Sequence, residues 1–246
     1  MSKKELVVKN PSDLTVSDMV ADWGEAPALS SNDLVIPKIL PQQGLSKFVT
    51  DGDARFGDFC NSITGEVLGS VSQPLEFIPF FMFKYWAINK KVVDKNGKAD
   101  FVFTHMEPCT NENENLPWQY EIDGVEHSRQ LNRAFYCLVK GQPLPLIVSF
   151  KGMSSKAGKI LATQMYTINA VQKLPPSARV MTLIGKKEQN DKGTYIVLDV
   201  KVARDATKEE ILESLQWFKT IKTTNVTFEH KDEEDLKVDV TNNKDF

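Results

Sequence analysis

The sequence predicts a mainly β protein with one or two helices and disordered termini. Three observations support this fold class: short runs rich in aromatic and β-branched residues, turn-forming dipeptides between those runs, and only two strong segments with helical spacing. The chain of 246 residues is 41% hydrophobic, so it can bury a full core as one large domain or two small ones.

Strand signals begin near Ala54 and continue along most of the chain. The segment from Pro74 to Ile88 is dense in aromatic and β-branched residues and is too interrupted by proline for a helix. Asn96-Gly97 lies between two apolar runs and predicts a β-hairpin with a type I′ turn, and Asn190–Gly193 predicts a second hairpin. Four further apolar runs between residues 134 and 203 also predict strands.

Two segments predict helices. Residues 154–171 have candidate caps at Ser154 and Ser155 and apolar side chains near a 3.6-residue period. Residues 206–221 begin with a capping box, in which Thr207 is the N-cap and Glu210 the third helical residue. The predicted buried stripes are Ile160, Leu161, Gln164, Met165 and Ile168 in the first helix, and Ile211, Leu215, Phe218 and Ile221 or Lys222 in the second.

These elements predict three regions along the chain. Residues 1–33 are a flexible N-terminal arm in which a short helix could form over residues 15–23. Residues 34–222 form one domain with a polar, irregular insertion near residues 106–130, and residues 223–246 are an acidic C-terminal tail. An OB-fold-like β-barrel fits the domain best, because that fold combines five barrel strands, a connecting helix and variable loops.

Charge is distributed unevenly along the chain. From Lys140 to Arg204 eleven Lys and Arg residues face three acids, a local charge of +8 (11 − 3), whereas the last eighteen residues carry seven acids and three lysines, a local charge of −4 (3 − 7). A basic body with an acidic tail is typical of a protein that binds a polyanion and screens itself when empty. A disordered solubilising tail is the alternative, but the terminal Phe246 favours capture by partner proteins.

Composition also bounds the class of protein. No run approaches the roughly 18 apolar residues of a membrane span, and acids and Asn-Pro interrupt the basic start before a signal-peptide core can form. Three cysteines without CxxC spacing favour a reducing compartment. We therefore expect a cytoplasmic protein.

Motifs for catalysis are absent from the sequence. A Walker A loop, HExxH, GxSxG and a Gly-rich dinucleotide loop after a strand are all missing, so we expect neither an enzyme nor a bound cofactor. Zinc is a weaker possibility. Four residues in and around the polar insertion could supply ligands, namely His105, Cys109, His127 and Cys137, but they do not form two tight pairs.

Aromatic and basic residues are interleaved, which is typical of single-stranded nucleic-acid binding. On the strand predicted near Phe81, that residue, Phe83 and Tyr85 share one face, while Phe80, Met82, Lys84 and Trp86 share the other. One face of this strand is expected to pack in the core, while rings on the other could stack bases. The alternative interpretation is that the whole strand belongs to the core. The candidate DNA-binding residues here and in two later basic segments are Phe81, Phe83, Lys84, Tyr85, Trp86, Lys90, Lys91, Lys151, Lys156, Lys159, Arg179, Lys186, Lys187 and Tyr195.

The combined pattern resembles the single-stranded DNA-binding proteins of tailed phages, which are OB-fold proteins with an acidic tail ending in an aromatic residue. The tail KDEEDLKVDVTNNKDF, with Asp245-Phe246 at its tip, carries this resemblance, although three lysines dilute its charge. Residues 34–218 also resemble a group of phage replication and recombination proteins, through the segments LVIPKILPQQGLS, GDFCNSITGEVLG, PLEFIPFFMFKYW and FKGMSSKAGKIL.

The resemblance implies a protein that coats single-stranded DNA without reading its sequence. It also implies that the tail recruits a polymerase, helicase or recombinase, and that the protein could form homo-oligomers. The implied partner-binding residues are Asp232, Glu233, Glu234, Asp235, Asp245 and Phe246. Three alternatives stay open: a recombination mediator or strand-annealing protein, a phage structural or assembly protein that does not bind DNA, and a nuclease-like enzyme with a dispersed site.

Overall fold

The computed structural model describes residues 35–93, 97, 99–191 and 193–224. The predicted N-terminal arm, its short helix and the acidic tail from residue 225 lie outside the described residues. The ten strands are β1 (Ile39–Pro41), β2 (Asp58–Asn61), β3 (Val67–Ser70), β4 (Leu75–Val93), β5 (Ala99–Pro108), β6 (Gln119–Ile122), β7 (Val125–Leu138), β8 (Leu146–Phe150), β9 (Arg179–Asn190) and β10 (Gly193–Asp205). The α-helices are α1 (Lys47–Thr50), α2 (Ser155–Tyr166) and α3 (Lys208–Thr224), with a 3-10 turn at Gly152–Ser154 and a π turn at Thr167–Val171.

The mainly β prediction is confirmed, and the strands form two sheets. A three-stranded sheet has the order β1-β2-β3, and a seven-stranded sheet has the path β10-β9-β4-β7-β6, with β5 added to β4 and β8 added to β7. All named strand pairs are antiparallel. Within the described residues neither sheet closes on itself, so the pairing does not form a complete barrel.

One backbone bridge and one side chain connect the small sheet to the large one where the strand pairing stops. A single parallel bridge joins Lys38 to Ile147 of β8, which connects the small sheet to the large one. On the other side, the Gln43 amide accepts a hydrogen bond from the Ile196 nitrogen at 2.9 Å and donates to the Ile196 carbonyl at 3.4 Å. The Gln43 side chain therefore occupies the position that a neighbouring strand would take at the edge of β10.

The predicted polar insertion is more regular than its composition indicates. Strand β5 extends to Pro108, and β6 and β7 pair from Gln119–Ser128 to Ile122–Val125, so only residues 109–118 form a loop there. Both predicted hairpins form, since Val93 pairs with Ala99 and Asn190 pairs with Gly193. The type I′ turn at Asn96-Gly97 stays a prediction, because Asn96 lies outside the described residues.

Two hydrophobic cores lie on opposite faces of the large sheet. The first contains Phe77, Phe135 and Leu161 and is covered by α2, whereas the second contains Phe83 and Tyr136 and is covered by α3. Phe81, Phe83 and Tyr85 share one face as predicted. The prediction that Phe80 lies on the opposite face is wrong, because the register shift between Pro79 and Phe81 turns Phe80 towards the same core as Phe81.

The two predicted helices form, with differences in detail. In α2 the prediction of Ser154 as a side-chain cap is wrong, because its hydroxyl accepts a hydrogen bond from the Leu198 nitrogen of β10 at 2.9 Å. Ile160 is half-exposed and Gln164 is exposed, and the buried positions of α2 and its π turn are Ala157, Gly158, Leu161, Met165 and Ile168. The buried stripe is therefore rotated from the predicted one, since the helix packs through a glycine that the apolar pattern ignores.

In α3 the capping box is confirmed. Thr207 Oγ1 accepts from the Glu210 nitrogen at 3.3 Å, and the Thr207 nitrogen donates to Glu210 Oε2 at 2.8 Å. The predicted stripe is confirmed at Ile221, which is buried, and at Phe218, which is half-buried and packs against the second core; Ile211 is half-buried, and Leu215 is 44% exposed.

Gly158 allows α2 to approach β8. A Cβ atom on this residue would lie 2.7 Å from the Phe150 Cβ and 3.3 Å from the Arg133 Cβ. We expect Gly158→Ala to lower the free energy of unfolding by about 1–3 kcal/mol, because the helix must move away from the sheet and loosen the first core. Urea unfolding followed by circular dichroism measures this change.

The matched control is Gly44→Ala. A Cβ atom on Gly44 would meet no other atom within 4 Å, and the backbone there has an ordinary conformation. Its substitution should therefore leave stability unchanged or raise it by about 0.4–1 kcal/mol. Equal stability of Gly158→Ala and the wild-type protein would show that α2 does not pack against Phe150 as described.

The α3 cap predicts a defined pH dependence. The hydrogen bond from Arg204 lowers the pKa of Glu210 from its usual 4.5 to about 2, so the ionised carboxylate stabilises the fold above about pH 4.5. This contribution is lost as the pH falls towards 2. We expect Glu210→Gln to lower the free energy of unfolding at pH 6. The difference in unfolding free energy between this variant and the wild type should be smaller at pH 3.

Glu209→Gln is the control for this experiment. Glu209 lies in the same first turn of α3, and its substitution removes the same charge without breaking the bidentate contact of Glu210 with Arg204, whose distances are 2.9 and 2.7 Å. A difference between Glu210→Gln and the wild type that stays constant from pH 6 to pH 3 would contradict the role of this ion pair.

Candidate nucleic-acid interface

The aromatic side chains of β4 are packed inside the protein. The Phe81 ring lies 5.7 Å from the Phe218 ring of α3, and the Phe83 ring lies 5.6 Å from the Tyr136 ring, measured between centroids. Tyr85 is buried and stacks beside Phe83 at 5.9 Å. The Phe81 ring is therefore covered by α3, and the Phe83 ring is engaged by two other rings of the sheet, so both act mainly in packing the second core.

Trp86 lies on the opposite face of β4 under the loop of residues 109–118. Its side chain is buried, with 5% of its surface exposed, and its indole Nε1 donates to Asn113 Oδ1 at 3.1 Å. Beside it, Lys84 Nζ lies 2.7 Å from Glu114 Oε2, and this hydrogen bond lowers the pKa of the Glu114 carboxyl group. The loop therefore covers the ring and neutralises the adjacent lysine.

Other candidate cations are also paired. Lys91 contacts Glu126 at 2.6 Å, and Arg179 contacts Asp205 at 2.8 Å. Lys186 forms an ion pair with Asp199, which lowers the pKa of that carboxyl group. Among the remaining candidates, Lys187 lies over the Phe56 ring at 5.4 Å, Tyr195 donates to Glu188 at 3.3 Å, and Lys90 is exposed.

Three lysines at the start of α2 differ from these. Lys151, Lys156 and Lys159 are exposed, and none forms an ion pair with an acidic side chain of the described residues. No Asp or Glu occurs in the sequence between His127 and Lys187, which explains why no local acid is available to them. Asp199 is close enough for Lys156 to affect its pKa, but it is already paired with Lys186.

Exposed apolar side chains accompany these lysines. Met153 is 66% exposed and Tyr166, at the end of α2, is 70% exposed. We call the surface formed by Lys151, Met153, Lys156, Lys159 and Tyr166 the α2 surface. Ammonium groups beside an accessible ring can neutralise phosphates while a base stacks, and the amino end of a helix adds a favourable field for anions.

A cleft of about 650 Å³ adjoins the start of α2. It lies at the gap between β8 and β10 that Gln43 and Ser154 bridge, and its lining includes three of the predicted site residues, namely Tyr85, Lys151 and Tyr195. Lys38, Asn132 and Ser149 add polar atoms to the same walls. The structure thus brings residues from three separate predicted segments to one opening, although Tyr85 itself is buried.

A cluster of aromatic and cationic side chains lies in the predicted insertion, and it was not predicted from the sequence. Arg129 of β7 lies with its guanidinium carbon 4.2 Å from the Tyr120 ring centroid and 5.8 Å from that of Trp86. Tyr120 in turn stacks on His127 at 5.6 Å, and Trp118, just before β6, is 64% exposed. The alternation of Trp118 with Tyr120 and of His127 with Arg129 is a period-2 strand signal that could have identified this face.

The zinc candidates are dispersed. Cys137 is fully buried and donates its thiol to the Leu146 carbonyl at 3.3 Å, whereas His105 is bound to Glu107 at 3.1 Å on an exposed face. In the part of the chain that the structure describes, no group of three or more His, Cys, Asp or Glu residues is placed to hold a metal ion. The predicted tail residues, from Asp232 to Phe246, lie outside that part.

Comparisons with known proteins identify a family. No curated protein sequence and no solved structure matches the chain. No helix of the described residues is long and apolar enough to cross a membrane. A family model described as "Pam3 phage gp34-like protein" matches residues 7–232, which is most of the 246-residue chain. The chain therefore belongs to the Pam3 phage gp34-like family of phage proteins.

Proposed function

We propose that this phage protein binds single-stranded DNA without sequence preference and coats it during replication or recombination in the host cytoplasm. The observation that carries the proposal is the α2 surface. Lys151, Lys156 and Lys159 are exposed around the start of α2 without ion pairs to acids of the described residues. Tyr166, about two turns beyond Lys159 on the same helix, has an exposed ring. Family membership supports a phage protein, and the charge and ring arrangement support the choice of ligand.

Phosphate neutralisation supplies most of the proposed affinity. Each lysine that contacts a phosphate releases condensed counterions, which makes binding weaken as salt rises. The lysines contact the backbone and leave the bases unread, so the interaction does not depend on sequence. Tyr166 and Met153 then favour a flexible single strand over a duplex, because only unpaired bases can lie flat against an exposed side chain.

The adjoining cleft extends this interface. Lys151 belongs both to the α2 surface and to the cleft, whose walls also include Lys38 and Tyr195. A strand that crosses the α2 surface can place a nucleotide at this opening, whose walls include the half-buried Ser149. In this proposal the rings of β4 act by packing α3 onto the sheet and not by stacking bases.

The acidic tail completes the proposal. Residues 229–246 carry seven acids and end at Phe246, so the tail can compete with DNA for the α2 surface when no strand is bound. Once DNA displaces it, the tail is free to recruit a polymerase, helicase or recombinase through Phe246 and its neighbouring acids. Binding and recruitment, with no catalytic turnover, are the proposed activities.

The α2 surface predicts a specific change in salt dependence. We expect the double variant Lys156→Ala/Lys159→Ala to bind oligo-dT more weakly at low salt and to lower the slope of log affinity against log salt by roughly 1.4, about 0.7 for each lost phosphate contact. Fluorescence anisotropy between about 50 and 200 mM salt measures both quantities.

The control is Lys47→Ala/Lys208→Ala, which removes two exposed lysines from α1 and α3. This variant makes the same change in net charge but leaves the α2 surface intact. Its slope of log affinity against log salt should therefore stay close to that of the wild type. If both double variants lost affinity equally, the effect would come from overall charge and the α2 surface would not be the interface.

Tail competition predicts the opposite change. Deleting residues 229–246 should tighten binding to oligo-dT, most clearly at low salt, because an internal polyanion that occupies the same surface is removed. The same titration, repeated with the truncated chain, measures this effect. A truncated chain that binds equally or more weakly would rule out screening by the tail, while leaving DNA binding itself intact.

A further inference from the structure

Arg129 is held in an unusual environment on the sheet formed by β4, β5, β6 and β7. Its guanidinium lies between the rings of Tyr120 and Trp86, and its Nε atom is buried without a hydrogen-bond partner among the described residues. No acidic side chain of those residues forms an ion pair with it. The arginine is therefore fixed in orientation by stacking, while its charge stays uncompensated.

The surroundings of Arg129 are rigidly built. Asn113 accepts hydrogen bonds from Trp86 Nε1 at 3.1 Å and from the Thr110 nitrogen at 2.8 Å, and its amide donates to the Pro108 carbonyl at 2.9 Å. These bonds fix the loop of residues 109–118 over Trp86. At the end of the loop, the Trp118 carbonyl accepts from the Arg129 nitrogen at 2.7 Å.

Trp118 presents its ring to solvent from this fixed backbone. Its side chain is 64% exposed, in contrast to the buried Trp86. Because Trp118 lies opposite Arg129 in the antiparallel register that continues from Gln119–Ser128, the two side chains emerge on the same face of the sheet. A large exposed aromatic ring next to an unpaired, oriented guanidinium matches the two parts of a nucleotide: base and phosphate.

We propose that Trp118 and Arg129 form a second contact site for single-stranded nucleic acid, in which a base stacks on Trp118 and Arg129 binds an adjacent phosphate. This inference rests on the function proposed above and adds a specific base-stacking site to it. We refer to these two residues as the β6–β7 site.

Strand β7 connects the β6–β7 site to the α2 surface. Arg129 and Arg133 lie on the same face of β7, four residues and about 13 Å apart. Arg133 in turn donates to the Ser155 hydroxyl, the first residue of α2, at 3.0 Å. One strand of nucleic acid could therefore follow the sheet from the α2 lysines to Trp118.

Local charge favours nucleic acid over an acidic protein as the ligand. Glu114 and Glu126 lie nearby, but each is paired with a lysine of β4, Lys84 and Lys91 respectively, so neither neutralises Arg129. A planar indole selects a flat partner, and every base offers such a face. An acidic peptide would satisfy Arg129 but would leave Trp118 without a specific contact.

The test uses the full chain and oligo-dT, with Trp118→Ala, Trp118→Phe and Arg129→Lys. We expect Trp118→Ala to weaken binding by roughly 5- to 100-fold and Trp118→Phe to retain most of the affinity, since a phenyl ring still stacks. Quenching of tryptophan fluorescence by DNA should be largely lost in Trp118→Phe. Arg129→Lys should weaken binding without changing the salt slope, because the charge remains but the planar fork is lost.

Leu212→Ala is the control, since Leu212 is an exposed apolar residue on α3, away from this sheet face. Wild-type affinity and unaltered quenching in all three site variants, in a protein that still binds oligo-dT, would overturn the β6–β7 site and leave the proposed function standing. A wild-type chain that fails to bind oligo-dT would overturn both. Weaker binding with Leu212→Ala as well as Trp118→Ala would also count against a specific stacking site.

Discussion

The register between β4 and β7 is the constraint on which the rest of the structure depends. Strand β4 has 19 residues and pairs with β5, β7 and β9, so its alternating side chains build one core under α2 and another under α3. The bulge between Pro79 and Phe81 sets which aromatic rings enter each core. The same register places Trp86 near Arg129. It therefore also determines which face of the sheet carries Arg129 and the exposed Trp118.

The open edge of the large sheet at β10 produces the cleft beside α2. Backbone pairing does not connect β10 to β8 in the described residues, and the Gln43 amide and the Ser154 hydroxyl satisfy part of the β10 edge instead. Two side chains can bridge such an edge without filling it, which leaves a cleft beside the start of α2. The cleft, with Lys151 on its wall, is therefore a product of a sheet that stops short of closure.

The sequence predicted the fold class and most elements, because hairpin turns and the Thr207–Glu210 capping box are local signals. It could not predict the partners of lysines, since the pairing of Lys84 with Glu114 joins residues 30 positions apart. Arg129 and Trp118 also escaped prediction, because the polar composition of residues 106–130 concealed a regular two-residue alternation. Of the predicted site residues, Lys151, Lys156 and Lys159 are exposed, whereas Trp86 is buried, because burial depends on a loop that residues distant in sequence place over the ring.

Affinity of the full-length chain for a single strand tests the central claim most directly. Fluorescence anisotropy of a labelled oligo-dT of about 30 nucleotides, with duplex DNA and heparin as competitors, compares the three kinds of polyanion in one measurement. The proposed interface predicts tight, salt-sensitive binding that duplex DNA and heparin displace poorly, because accessible rings contribute alongside charge. Absence of binding, or binding that heparin removes as readily as unlabelled oligo-dT, would contradict a single-strand interface and favour a protein partner for the α2 surface.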